Sequence, residues 1–309
     1  MGETGKTEKG PGEDRHACPA QRLSDAVPPW HETEEETCAS QRVVAGSFDT
    51  CGGQGMSSRS MRFRQQTHNR FWWHWAPATD YVPIPYSFLS DSEWELMQAW
   101  FDDTGIRYRN PGEANVPPLS MLIGLISGNG IQRIVQCGHY AGYSTLLLGF
   151  LLRQMGHRSS LYSIDIDEAV TAYTAGWVKR AGLDEFVRLE VSDSAQAQLP
   201  AQASSYFGGR APQLVFIDSS HQYAHTIDEL DLWYATLPQG GLIVLHDASR
   251  FAAAFDSTGQ GGVFRAVSEW CAVNGVPSLM LNSFVEGGTP GDYPYLDGCG
   301  LAIIQKNRA

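Results

Sequence analysis

One stretch of this 309-residue chain narrows its possible folds more than any other: Ile134-Val135-Gln136-Cys137-Gly138-His139-Tyr140-Ala141-Gly142-Tyr143-Ser144-Thr145. Ile134 and Val135 are β-branched and end an apolar run, as a buried strand does. Gly138 and Gly142 let the backbone turn tightly and approach a ligand closely. Ser144 and Thr145 can cap or line a following helix, which residues 146–152 continue. Strand, glycine loop and helix start together make a nucleotide-binding corner.

Strands and helices alternate around that corner. Upstream, Ser90 or Asp91 caps a helix over 93–101 with Trp94, Met97 and Trp100 on one face, an outer or lid helix, and Pro117 and Pro118 open another over 119–126. Downstream, strands are predicted over 160–165, 187–191, 213–217 and 241–245, with helices over 168–181, 224–234 and 263–274. Two last strands, 278–284 and 300–305, flank a Gly/Pro/Tyr loop too short for a crossover helix, so that pair is antiparallel. The pattern predicts an α/β fold: a Rossmann-like, doubly wound, seven-stranded and mostly parallel sheet with an antiparallel last strand and helices on both faces.

Residues 1–60 are poor in large aliphatic side chains and are expected to form a disordered tail. His16, Cys18, Cys38 and Cys51 within it match no compact zinc-ligand spacing. Residues 61–114, rich in Arg, Trp and Phe, are expected to form an aromatic and helical lid or docking segment. The main domain then runs over 115–309. A net charge of −12, from 34 acidic and 22 basic residues, argues against nucleic acid as a partner. The apolar runs are too short to span a bilayer, no secretory leader pattern opens the chain, and six cysteines without CxxC spacing suit a reduced, cytoplasmic protein.

Three strand ends carry the chemistry. Asp165 ends the second strand, where an acidic group accepts hydrogen bonds from ribose hydroxyls. The glycine loop is GxxxG, and with no Lys-Ser/Thr after it a P-loop is excluded. Asp218 ends an apolar strand, and His221 follows at the mouth of the same loop, placed to take a proton from a hydroxyl. Leu245-His246-Asp247 ends the next strand, and Asp218 with Asp247 can hold a divalent cation. The plainer reading has Asp218 capping a helix and His246 packed in the core.

Residues 136–144 resemble the first motif of class I S-adenosylmethionine (SAM)-dependent methyltransferases, closest to the catechol O-methyltransferase-like enzymes and to methyltransferase domain 24. Ile217-Asp218-Ser219-Ser220-His221-Gln222-Tyr223, and Pro238-Gln239-Gly240-Gly241 with Val244-Leu245-His246-Asp247, resemble the motifs of the fourth and fifth strands in the latter. The likeness spans about residues 115–306. It implies that Gly138, His139, Tyr140, Gly142 and Ser144 surround the methionine part of SAM. Asp165 binds its ribose, Ile166 packs on adenine, and Asp193 and Ser194 meet the adenine edge. Asp218 lies beside the sulfonium, with His221 as general base. Metal-dependent relatives place ligands at the positions of Asp218 and Asp247, so Mg²⁺ enters as a second expected group. Ala248 stands where their third ligand is usual, and Gln136 where an acidic residue is usual, which removes a charge near the cofactor's amino group and lowers its expected affinity.

The expected activity is therefore SAM-dependent O-methylation of a small-molecule hydroxyl, of natural-product or sugar type. Its alternatives are N-methylation, a metal-dependent hydroxylase on the same fold, and a SAM-binding protein without turnover. The acceptor is an expected small-molecule partner, and the aromatic segment suits a homodimer.

Overall fold

The computed structural model describes residues 82–108, 112–114, 116–287 and 293–307. The expected tail over 1–60 and the arginine and aromatic stretch over 59–75 lie outside the described residues. No described helix is long and apolar enough to cross a membrane.

Seven strands form one sheet: β1 (Ile134–Cys137), β2 (Leu161–Asp165), β3 (Val187–Val191), β4 (Leu214–Ile217), β5 (Leu242–His246), β6 (Ser278–Leu281) and β7 (Leu301–Gln305). Their spatial order is β3-β2-β1-β4-β5-β7-β6. The first five pair in parallel, while β7 runs antiparallel to both β5 and β6. The strand order reverses between β1 and β4, which opens a crevice at the carboxyl ends of those strands. β1 and β4 are buried along their whole length, as central parallel strands covered on both faces must be.

The helices are α1 (Ile84–Ser87), α2 (Asp91–Arg107), α3 (Val116–Asn129), α4 (Tyr143–Gln154), α5 (Glu168–Arg180), α6 (Leu199–Tyr206), α7 (Tyr223–Thr236) and α8 (Gly262–Asn274). The period-2 alternation of each strand divides the core in two. Ile134, Leu161, Leu214, Phe216 and Val244 face α2, α3, α4 and α5. Val135, Cys137, Ile164, Val215 and Ile217 face α6, α7 and α8. Both faces of the sheet are thereby sealed, and ligand access is confined to its edges and ends.

The helix predicted over 93–101 is longer, and Ser90 is its cap: its hydroxyl accepts from the Glu93 backbone while the Glu93 carboxylate accepts from the Ser90 backbone. Tyr86, Leu89, Trp94, Met97, Trp100 and Phe101 belong to the same buried cluster as α3 and α4. The Trp100 indole also donates to the Ala141 carbonyl at 2.8 Å, tying α2 to the glycine loop. Helix α6 was not predicted, because only Leu199 and Ala203 of its residues are buried and the rest carry no apolar period. Strand β6 stops at Leu281 rather than 284, since Asn282 enters the left-handed region at φ 55 and its amide donates to the Tyr295 and Asp297 carbonyls.

Trp100→Phe should destabilise by about 1–2 kcal/mol through the unpaired Ala141 carbonyl, and Trp100→Ala by about 3–5 kcal/mol through the added cavity. Urea unfolding midpoints at constant m-value check both.

Candidate active site

The carboxyl ends of β1, β2, β4 and β5 meet at the crevice, and the first constraint there is contact between backbones. Gly138 follows β1 with φ +86, and a side chain on it would run into the Asp218 carbonyl beyond β4. Gly142, at φ +93, is the N-cap residue of α4 and abuts Thr174 of α5. Ser144 and Thr145 therefore do not cap this helix. They point back to Gln136 instead.

Gln136 is fully buried, and its carboxamide is saturated by the protein. Its Nε2 donates to Ser144 Oγ at 2.7 Å and to the Gly138 carbonyl at 3.1 Å. Its Oε1 accepts from Thr145 Oγ1 at 2.9 Å and Ser163 Oγ at 3.2 Å. Because the Ser163 proton goes to Gln136, Ser163 accepts from His139 Nδ1 at 3.1 Å; His139 Nε2 then accepts from Thr171 Oγ1 at 2.9 Å. The His139 ring is thus buried, 3% exposed, and turned between β2 and α5, so it is the backbone of His139 that faces the loop. Burial holds this imidazole neutral, with its pKa lowered to about 4.

Asp165 ends β2 and gathers the loop. Its Oδ2 accepts from the backbone N–H of His139 at 3.1 Å and Tyr140 at 2.8 Å, and its Oδ1 from that of Asp167 at 3.0 Å. A carboxylate offers about four lone-pair sites, so one acceptor position is left on it. Ile166, beside it, is 74% exposed, and Tyr140 is 40% exposed. Beyond β3, Asp193 and Ser194 are held by α7: His225 Nε2 lies 2.9 Å from Asp193 Oδ1, and Ser194 Oγ donates to Glu229 at 2.5 Å.

The loops after β4 and β5 bring a charged cluster together. His221 Nε2 lies 3.0 Å from Asp247 Oδ2 and 3.6 Å from Asp218 Oδ1. His246 Nδ1 lies 3.4 Å from Asp218 Oδ1 and 3.5 Å from Asp247 Oδ2, and its Nε2 lies 3.4 Å from Asp297 Oδ2. His221 and Asp247 both hold φ 59, a left-handed conformation that costs non-glycine residues about 1–3 kcal/mol each and marks functional sites. Burial opposes charge on His221, but Asp247 and Asp218 outweigh it and push its pKa up to about 10. Burial likewise opposes charge on His246, and Asp247 and Asp218 again hold it well above the ordinary range. For Asp218 burial is outweighed by the two imidazoles, which keep its carboxyl below the usual range. Asp218, His221 and Asp247 place three potential metal-ligand atoms within 4.8 Å of one another. Ala248 adds none.

An aromatic rim stands beside the cluster. The Phe255 ring lies 6.0 Å from His221 and 5.5 Å from Phe251, and Phe284 packs edge-on against Tyr293 at 5.3 Å. The 255–262 loop is shaped by Asp256, which accepts from the backbone of Thr258, Gln260 and Gly262.

The structure thus collects Gly138, Tyr140, Asp165 and Ile166 at one end of the crevice, and Asp218, His221 and Asp247 at the other. Sequence reasoning missed His225, Glu229 and Asp297 as members of this edge. The first two stand four apart on α7, a same-face spacing that could have flagged them. Asp297 carries no such signal.

A family model described as Methyltransferase domain matches residues 135–248, as the resemblance in the strand-end motifs implied. The fold is shared by the O-methyltransferase from Bacillus cereus in complex with SAH, 19% identical, with a TM-score of 0.51 over 71% of this chain and 93% of that one. It is also shared by the O-methyltransferase TomG from Streptomyces achromogenes, involved in tomaymycin synthesis and in complex with SAM, 16% identical, with a TM-score of 0.52 over 71% and 92%. No curated protein matches the sequence.

Because the folded-state pKa of His139 lies below its unfolded value near 6.5, the unfolded chain binds more protons between these values. Stability contributed by the neutral ring is complete above pH 6.5 and is lost as pH falls toward 4, by up to about 3 kcal/mol. His139→Gln should flatten that dependence in urea titrations from pH 7 to 4.

Proposed function

We propose that this chain, whose residues 135–248 match a methyltransferase domain, is a SAM-dependent methyltransferase acting on a small-molecule hydroxyl. The observation that carries this reading is a juxtaposition. The Asp165–Ile166 end of the crevice abuts the Asp218–His221–Asp247 end through the contact of Gly138 with the Asp218 carbonyl.

The residues at the first end fit an adenosyl group. Ile166 offers an apolar face already held in solvent, Asp165 keeps an acceptor position for a ribose hydroxyl, and Asp193 and Ser194 stand beyond β3 as an edge for adenine. Gly138 and Tyr140 line the approach to the methionine part through the loop backbone. Gln136 does not reach it. SAM supplies a methyl group already activated on a sulfonium, so the protein's task is to align donor and acceptor for in-line displacement. Transfer of that methyl to the acceptor oxygen would leave the hydroxyl proton for a group of the protein to take up.

His221 is the residue for that proton. It sits at the mouth of the crevice under Phe255, oriented by Asp247 and Asp218. Both carboxylates also hold a proton on it up to about pH 10, so the neutral imidazole is the minor form at pH 7. As a base it therefore acts from a small population that grows with pH.

A second reading is favoured by the three ligand atoms within 4.8 Å. Asp218 and Asp247 would hold a divalent cation with His221 as the third donor. Such a cation lowers the pKa of a hydroxyl bound to it. An imidazole among two carboxylates suits a borderline transition metal at least as well as Mg²⁺.

Calorimetric titration with SAM, with a divalent cation and then with EDTA, tests the proposal. SAM should bind in both conditions. With an acceptor in hand, His221→Ala should lose about 100-fold or more in kcat while SAM binding persists, and wild-type kcat/KM should climb from pH 7 toward 10. Absence of SAM binding in both conditions would overturn the proposal. Turnover abolished by EDTA would move His221 from base to ligand.

A further inference from the structure

The loops after β3 and β4 end on opposite sides of β1 and β2 in the sheet, yet both are anchored to one buried carboxylate on α7. Glu229 is 0% exposed. Its Oε1 accepts from Ser194 Oγ at 2.5 Å, and both its oxygens accept from Ser219 Oγ at 2.9 Å. One turn earlier on the same helix, His225 lies with Nδ1 3.4 Å from Glu229 Oε2 and Nε2 2.9 Å from Asp193 Oδ1. One turn later, the Trp233 indole donates to the Ser194 carbonyl at 3.0 Å. A carboxylate sealed from water is expensive unless its lone pairs are filled, and here two hydroxyls and an imidazole fill them.

We propose that Glu229 is a positioning residue for the cofactor edge, holding Asp193 and Ser194 after β3 in register with Asp218 after β4. The proposal rests on the methyltransferase reading for the identity of the ligand, though the clamp itself does not. Ser219 is the link: it is adjacent to Asp218, and its Cα lies 2.9 Å from where a Gly138 side chain would sit. Glu229 thus reaches the glycine loop through one serine and the adenine edge through another. Glu229 touches the adenine edge at Ser194 and meets the glycine loop only through Ser219, so its effect on a ligand is carried by Ser194, Ser219 and His225.

Charge makes the role separable from packing. Among the described residues, the charged groups on His225 are Glu229 from its own helix and Asp193 from the loop after β3; Ser220 from the loop after β4 adds a neutral hydroxyl at 2.9 Å from Nδ1. Burial opposes charge on His225, but Glu229 and Asp193 outweigh it and raise its pKa to about 9. The imidazolium, and with it the grip on Asp193, is therefore constant between pH 6 and 8. Removing the Glu229 charge takes away one of the two anions that hold the proton on His225 and should shift its transition down toward that window.

The test is S-adenosylhomocysteine binding by calorimetry at pH 6, 7 and 8 for wild type and Glu229→Gln, with amide hydrogen exchange on both proteins. Wild-type affinity should be flat across this range. Glu229→Gln should bind nearly as tightly at pH 6 and about tenfold more weakly at pH 8, as one charge-assisted hydrogen bond is lost. Exchange should quicken over residues 192–196 and 218–222 and stay unchanged in β1 and α4. Ser219→Ala, which leaves the charge in place, should quicken 218–222 without the pH effect. Equal exchange and equal affinity in Glu229→Gln and wild type would overturn the proposal. A weakening independent of pH would reduce Glu229 to a packing residue and overturn it too. If wild type fails to bind while exchange responds as described, the methyltransferase reading fails and the clamp stands as a feature of the fold alone.

Discussion

A single buried carboxamide organises the corner on which the site is built. Gln136 must donate twice and accept twice, and its four partners come from the glycine loop, α4 and β2. Only an amide can do this. An ionised acid at the same place would lose both donors, set a charge against the Gly138 carbonyl, and carry that charge without solvent. The hydroxyl of Ser163 passes the arrangement on to His139 and thence to Thr171, so two strands, a loop and two helices share one hydrogen-bond chain. The loop conformation that places the His139 and Tyr140 amides on Asp165 follows from it.

At the other end of the crevice the governing constraint is charge. Asp218, Asp247 and Asp297 lie within one cluster, and two imidazoles stand among them. Buried carboxylates persist only when paired, and here each histidine serves more than one. His246 faces three carboxylates from inside the protein, while His221 faces two from the crevice side. This inner histidine stabilises the pair of carboxylates from within the fold. Strained backbone at His221 and Asp247 is consistent with side chains aimed by the site rather than by the local helix and strand geometry.

Much of this was legible in the sequence because its signals are local. Apolar runs ending in Asp165, Asp218 and His246-Asp247 mark parallel strands whose last residue reaches the open edge, and the structure puts all three at one edge. Less legible were side-chain directions. His139 belongs to a glycine loop that approaches the ligand side, yet its ring is claimed by Ser163 and Thr171, which are 24 and 32 residues away. Glu229 reads as one more acidic residue on an amphipathic helix, and only the packing of α7 under two loops makes it a buried anchor. Asp297 lies in an irregular segment and meets His246 through tertiary contact alone. The apolar face of helix α2 can be seen in sequence, but what that face covers cannot.

On the proposed function, the two ends of the crevice receive one ligand. A crystal structure grown with S-adenosylhomocysteine tests it most directly. The expected complex has the ribose on Asp165, adenine against Ile166 with its edge toward Ser194, and the thioether sulfur directed at the Asp218–His221 end, with Gln136 and His139 still locked in their internal hydrogen bonds. A ligand bound elsewhere, or a Gln136 carboxamide turned out to meet it, would contradict the account.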